Sequence, residues 1–280
     1  MLRTESDPPA FDGGSVVPVA TYLLIVAVLS GLTLVTSGAS GSPVVGVGWG
    51  LFLAALALGA FAVEGVSPRS VLPPARSLTP AVGVVAAFWL LYNVVAYGLA
   101  LGGVPGFEPA PSRVVAHPLP YLAAFVSTLL FTAIPEELAF RAYLQSKFTA
   151  LAGGGRRRAT AVGVSLATVL FALFHLPHWF LASGHGVGPA LATRLFGLTL
   201  AGLAYGLAYA LTRNLWLVAL FHATMNQPPF LVAVHVPAEM HLLVGAVEYA
   251  AIASTAFVAV RVSDTVGPTS TRGGRASTDD

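Results

Sequence analysis

Apolar residues fall along the chain in blocks of nearly constant length. The blocks lie at about 16–36, 44–64, 79–102, 119–138, 160–180, 189–212, 214–234 and 241–261. Each is close to the ~20 residues that a helix needs to cross a hydrocarbon core. The pattern predicts an all-α polytopic membrane protein with eight transmembrane helices. The first block is too long for the apolar region of a signal peptide and no small-residue cleavage site follows it, so it reads as a retained helix. Residues 1–15 are polar, with Pro8, Pro9, Gly13 and Gly14, and read as a disordered tail; residues 263–280, rich in Gly, Ser, Thr and Asp, read the same way. The helical domain therefore covers 16–262, without an internal repeat or a soluble domain.

The fourth block does not stop at its predicted end. Its pattern continues to about Ala152, Gly153-Gly154-Gly155 then turns the chain, and the fifth helix starts near Ala159. A hairpin folded about Gly154 sets residue 136 level with about residue 172, one turn from His175.

Composition agrees with this reading. The chain is 56% hydrophobic and 9% charged, against about 25% charged residues in a soluble domain. There is no cysteine, which excludes disulfide and thiolate chemistry. A net charge of +2 gives no footprint for nucleic acid. The basic residues are unevenly placed. With the N-terminus in the cytosol, twelve of the fourteen Lys and Arg lie in cytosolic segments and only Arg113 and Arg194 on the other side. That asymmetry predicts a multi-pass protein of the cell membrane with both termini cytosolic.

A few strong polar groups interrupt the apolar blocks. Glu136 and Glu137 sit together on the fourth helix, and Arg141 follows Glu137 at i+4, on the same face. Arg141 can therefore neutralise Glu137, while Glu136 points about 100° away and is left free. His175 lies on the fifth helix; His222 and Asn226, again at i and i+4, lie on the seventh. Ionisable groups inside a membrane segment face the bundle interior and mark function. Taken singly, each has a bland explanation: a structural ion pair, a satisfied histidine, an asparagine joining two helices. Together, at compatible depths, they point to a polar reaction or transport site in a cavity opening toward the cytosol.

Three motifs carry a resemblance. Glu136-Glu137-Leu138-Ala139-Phe140-Arg141, then Phe171 to His175, then His222 to Asn226, in order on successive apolar segments, resemble the CPBP family of CAAX prenyl proteases and bacteriocin-processing proteins, also called Abi. The resemblance covers about residues 119–235. It implies an intramembrane endopeptidase acting on a membrane-associated, possibly prenylated CAAX, protein or peptide. By analogy Glu136 is the general base and activates a water together with His175. His222 and Asn226 stabilise the oxyanion, and Glu137 and Arg141 support Glu136. The chemistry stands without the analogy: a carboxylate and an imidazole can polarise a water, and an amide with a histidine donor suits a tetrahedral oxyanion. Glu136, His175 and His222 could alternatively hold zinc, but no His-Glu-x-x-His is present and the metal-free reading is preferred. The alternatives in other classes are a proton-coupled transporter and a non-catalytic immunity or scaffold protein of the same family. The transporter lacks paired broken helices, and a silent member would have lost a motif residue.

Other polar residues read as structural. His178 falls near the outer interface, beside Trp179. His117, His185, His235 and His241 lie in loops or at span ends. Asn93 is read as an interhelical hydrogen bond, and Glu248 is placed to pair with Arg194.

Overall fold

The structure is a computed structural model and describes Leu2 and residues 10–36 and 43–266. Eight principal helices follow one another in the predicted order. They are α1 (Val16–Val35), α2 (Pro43–Val63), α3 (Leu78–Leu101), α4 (Pro118–Ala152), α5 (Arg156–Leu173), α6 (Pro189–Thr212), α7 (Leu215–Asn226) and α8 (His241–Val266). Seven helices among the described residues are long and apolar enough to cross a membrane. The fold is thus that of a polytopic helical membrane protein. Leu2 and residues 10–15 of the predicted N-terminal tail are described, and the predicted C-terminal tail lies beyond the described residues from 267 onward.

The exception among the predicted spans is the seventh. Instead of a helix over 214–234, α7 has 12 residues, or about 18 Å of rise. Pro228 and Pro229 stop it, since a residue before proline is driven out of the helical region. The chain then runs extended into β2 (Val232–Val234), which pairs antiparallel with β1 (Phe107–Pro111) in a two-stranded ribbon. The segment still passes from one end of the bundle to the other. Asn214, which caps α7, donates to the carbonyls of Leu2 and Ser77 at the end carrying Arg156–Arg158. The ribbon lies at the opposite end.

Non-helical backbone at membrane depth must find partners within the protein. Here side chains supply them. Asn93 donates to the carbonyl of Pro229 at 3.1 Å and accepts from the amide of Leu231 at 2.6 Å. Tyr121 donates to the carbonyl of Gln227 at 3.1 Å, and the Ser112 hydroxyl donates to the carbonyl of Phe230. Asn93 therefore clamps the unwound stretch after α7 rather than simply joining two helices.

The N-terminal segment is not a free tail where it is described. Leu2 is buried, and Phe11 packs against Phe61 and Tyr143. Beneath them is an ion pair that hydropathy does not reveal. Lys147 Nζ lies 2.6 Å from Glu64 Oε2, with both side chains buried. The amide of Gly13 donates to the same carboxylate at 3.0 Å, Tyr143 donates to Glu64 Oε1 at 3.3 Å, and Lys147 also donates to the carbonyl of Gly13. A buried ion pair persists only when its remaining hydrogen-bonding capacity is met. The strap of residues 11–13 helps to meet it and is ordered by it.

Helix α4 is the structural axis. It contains two π-helical stretches, Leu129–Ala133 and Leu138–Gln145, on either side of Glu136 and Glu137. Such wide turns recur at functional sites. The first brings its backbone against α2 at Gly50, where any Cβ would lie 2.2 Å from the carbonyl oxygen of Phe131. The hairpin to α5 turns through Gly153 and Gly154, at φ 58° and 73°, a region open to glycine at little cost.

Candidate active site

Glu136 and Glu137 meet one imidazole. His222, on α7, donates through Nδ1 to Glu137 Oε1 at 2.8 Å, and its Nε2 lies 3.8 Å from Glu136 Oε2. Arg141 Nε donates to the other Glu137 oxygen at 3.1 Å. Glu137 is thus shared between a guanidinium and an imidazole and has no solvent exposure. Because an ionised carboxylate only accepts, this contact places the Nδ1 proton and fixes the tautomer. The Glu136–His222 separation is too long for a hydrogen bond. Glu136 Oε2 is buried without a hydrogen-bond partner, as are Nη1 and Nη2 of Arg141.

His175 approaches from the end of α5. Phe140 packs on Phe171 and Phe174, with ring centroids 5.3 and 4.9 Å apart. One further turn along each antiparallel helix sets Glu136 level with His175, closer than a hairpin symmetric about Gly154 would give. His175 Nδ1 donates to the carbonyl of Phe171 at 2.8 Å. A carbonyl cannot donate, so in the neutral ring Nε2 carries the lone pair. Phe171 links the groups: Arg141 lies over its ring at 4.9 Å, and it meets His175 and His222 at 5.0 and 6.1 Å. No hydrogen bond joins His175 to Glu136, Glu137 or His222 among the described residues.

Asn226, the last residue of α7, is exposed and lies one turn beyond His222. Because α7 ends there, the polar set sits at the ribbon-facing end of a half-length helix. In the other direction it is closed. Every residue from Leu138 to Gln145 is buried, and Gln145 is tied to the carbonyl of Gly206 at 2.9 Å. On the arginine-rich side of Glu136 and Glu137 α4 is therefore packed, whereas Asn226 on the ribbon side is exposed.

Glu248 accepts from Tyr92 at 2.9 Å and forms no ion pair with Arg194, against the expectation from spacing. His178 is exposed and lines a cavity of about 560 Å³ with Thr33, Trp49 and Thr132. His117, His185, His235 and His241 are exposed. Among the described residues no three His, Asp or Glu side chains converge as a metal-holding group. Glu136, His175 and His222 as placed do not fit a zinc centre.

Two neighbours of the site had little signal in the sequence. Tyr205 of α6 stacks on His222, with centroids 5.2 Å apart and planes at 19°; nothing marks it among the other aromatics. Phe171 appeared only as the first position of a motif.

The helices and the site define a class: a polytopic membrane protein with a carboxylate–histidine–arginine cluster buried at the meeting of three helices. Within it, residues 118–227 match the family model described as type II CAAX prenyl endopeptidase Rce1-like, a similarity consistent with the CPBP family that the motifs resemble. The match runs from the start of α4 to just past the end of α7 and contains all six motif residues. Neither the curated proteins nor the solved structures compared with the chain give a match.

Proposed function

We propose that the protein is an intramembrane endopeptidase that hydrolyses a peptide bond in a membrane-associated substrate, with a prenylated CAAX protein as the leading class. The Rce1-like domain supports the protease family. The observation that carries the reading is Glu136 Oε2, buried and unpartnered beside an imidazole already fixed by Glu137. A carboxylate kept free in this way is suited to take a proton.

In the proposed reaction Glu136 removes a proton from a water, aided by the free Nε2 of His175. The water oxygen attacks the scissile carbonyl carbon. His222, when protonated at Nε2, and the Asn226 amide donate to the oxyanion as it forms. The C–N bond then breaks, and the amine leaves with the proton held by Glu136. Glu137 and Arg141 set the tautomer and position of His222. The arginine asymmetry supports a cell-membrane location with both termini in the cytosol.

The test uses the purified chain in liposomes with a farnesylated CAAX peptide and its unprenylated counterpart. Wild type is expected to release the three C-terminal residues, and Glu136→Gln to release none. A folded wild type that cleaves no membrane-associated peptide would overturn the reading in favour of a silent family member. Proton flux without cleavage would instead favour the transporter.

A further inference from the structure

We propose that Tyr205 is a positioning residue for His222: its ring holds the imidazole in the plane that keeps Nδ1 on Glu137 and directs Nε2 toward Glu136. The proposal rests on the endopeptidase reading above.

The His222 ring is held at one edge by a single hydrogen bond, at Nδ1. A ring held at one point can still tilt about that point, and a tilt sweeps Nε2 away from Glu136. Tyr205 removes this freedom by lying nearly parallel on the face of the imidazole, 5.2 Å between centroids and 19° between planes. Phe171 meets the same imidazole edge-on, at 6.1 Å and 81°. Face and edge contacts together leave little room for a second orientation.

Tyr205 is itself fixed. It is 2% exposed, and Tyr249 of α8 backs it edge-on at 6.0 Å. Its height on α6 follows from two small residues at helical spacing. A Cβ on Gly202 would meet Thr168 at 2.8 Å, and one on Gly206 would meet Val164 and Gln145 at 3.1 Å. Glycines four apart let two membrane helices approach closely. Here they set α6 against α5 and α4, with Tyr205 on the adjoining face, over His222. Among the described residues no hydrogen bond joins Tyr205 to Glu136 or Asn226. It acts through the ring that it holds.

The test compares Tyr205→Leu, Tyr205→Phe and Tyr249→Leu in the same liposome assay, with Glu136→Gln as the reference for a dead enzyme. Tyr205→Leu keeps apolar bulk and loses the flat face. Its kcat is expected to fall about 2- to 12-fold, the range for one aromatic pair, with KM unchanged and the pH profile of kcat displaced. Tyr205→Phe should recover most of that loss and restore the wild-type profile, which identifies the ring rather than the hydroxyl. Equal losses in Leu and Phe, or a Leu variant with wild-type kcat and pH profile, would overturn the proposal. If Tyr205→Leu does not fold, Tyr249→Leu decides, since removing the backing ring must lower kcat in the same sense and unchanged kcat would overturn it. An inactive wild type, or an active Glu136→Gln, would instead strike at the endopeptidase reading.

Discussion

His222 Nδ1 lies 2.8 Å from Glu137 Oε1, and this contact sets the two adjacent glutamates apart. Glu137 is tied to Arg141 and to His222; Glu136 stands beside the same imidazole with one oxygen unpartnered. Substituting them should have different effects. Glu136→Gln removes no hydrogen bond and should abolish cleavage while thermal stability stays near wild type. Glu137→Gln breaks a fully buried pair and should lower stability by about 3–5 kcal/mol, as well as slow cleavage. Thermal unfolding of the two variants beside their turnover checks this. Equal stability losses would contradict the assignment.

Asn226 is expected to matter for rate more than for binding. Asn226→Ala should lower kcat by about 10²–10³, the usual loss for one oxyanion donor. KM should change little, because the contact strengthens in the transition state. Steady-state kinetics on a fluorogenic peptide would show it, and a rise in KM alone would assign Asn226 to binding.

Metal content separates two chemistries. Without a metal role, active wild-type protein should carry no stoichiometric zinc, and chelators should leave turnover intact. A zinc enzyme would carry about one equivalent, lose it in His222→Ala, and regain activity on zinc addition. Elemental analysis of wild type and His222→Ala gives the answer.

The Glu64–Lys147 pair should be a principal stabilising contact of the N-terminal strap. Lys147→Met leaves Glu64 buried without its cation and should cost about 3–5 kcal/mol. The double replacement Glu64→Gln with Lys147→Met should recover part of that loss. Guanidinium-free thermal scans in one detergent would test both, and a double variant less stable than Lys147→Met would contradict the pairing.

The arginine asymmetry predicts that both termini face the cytosol. Reporter fusions after Asp280 and within residues 104–116 should report opposite sides of the membrane. The same side for both would break the eight-crossing arrangement.

Much of the architecture was legible because crossing a bilayer constrains sequence strongly. Seven spans follow from apolar length alone, and the Glu137–Arg141 pair follows from i, i+4 spacing. The three motifs were visible as polar groups in apolar runs. The unwinding after Asn226 was hidden, since Phe230, Leu231 and Val232 are as apolar in a strand as in a helix. Pro228-Pro229 was the available signal. The meeting of both glutamates on His222 depends on π turns around Glu136, which no periodicity shows. The strap was missed because polar, Pro- and Gly-containing residues read as tail, although Glu64 at the end of an apolar block needed a counter-charge.

Lys147 is the chain's only lysine, and the fold leaves 1% of its side chain exposed, against Glu64. An acylating reagent such as an activated ester needs a free, accessible amine. In the folded protein it finds no such side chain. Acylation at Lys147 then happens only when the strap lifts from Glu64. The rate of that single modification reads out the opening of the N-terminal segment, in the unaltered protein, without an introduced probe.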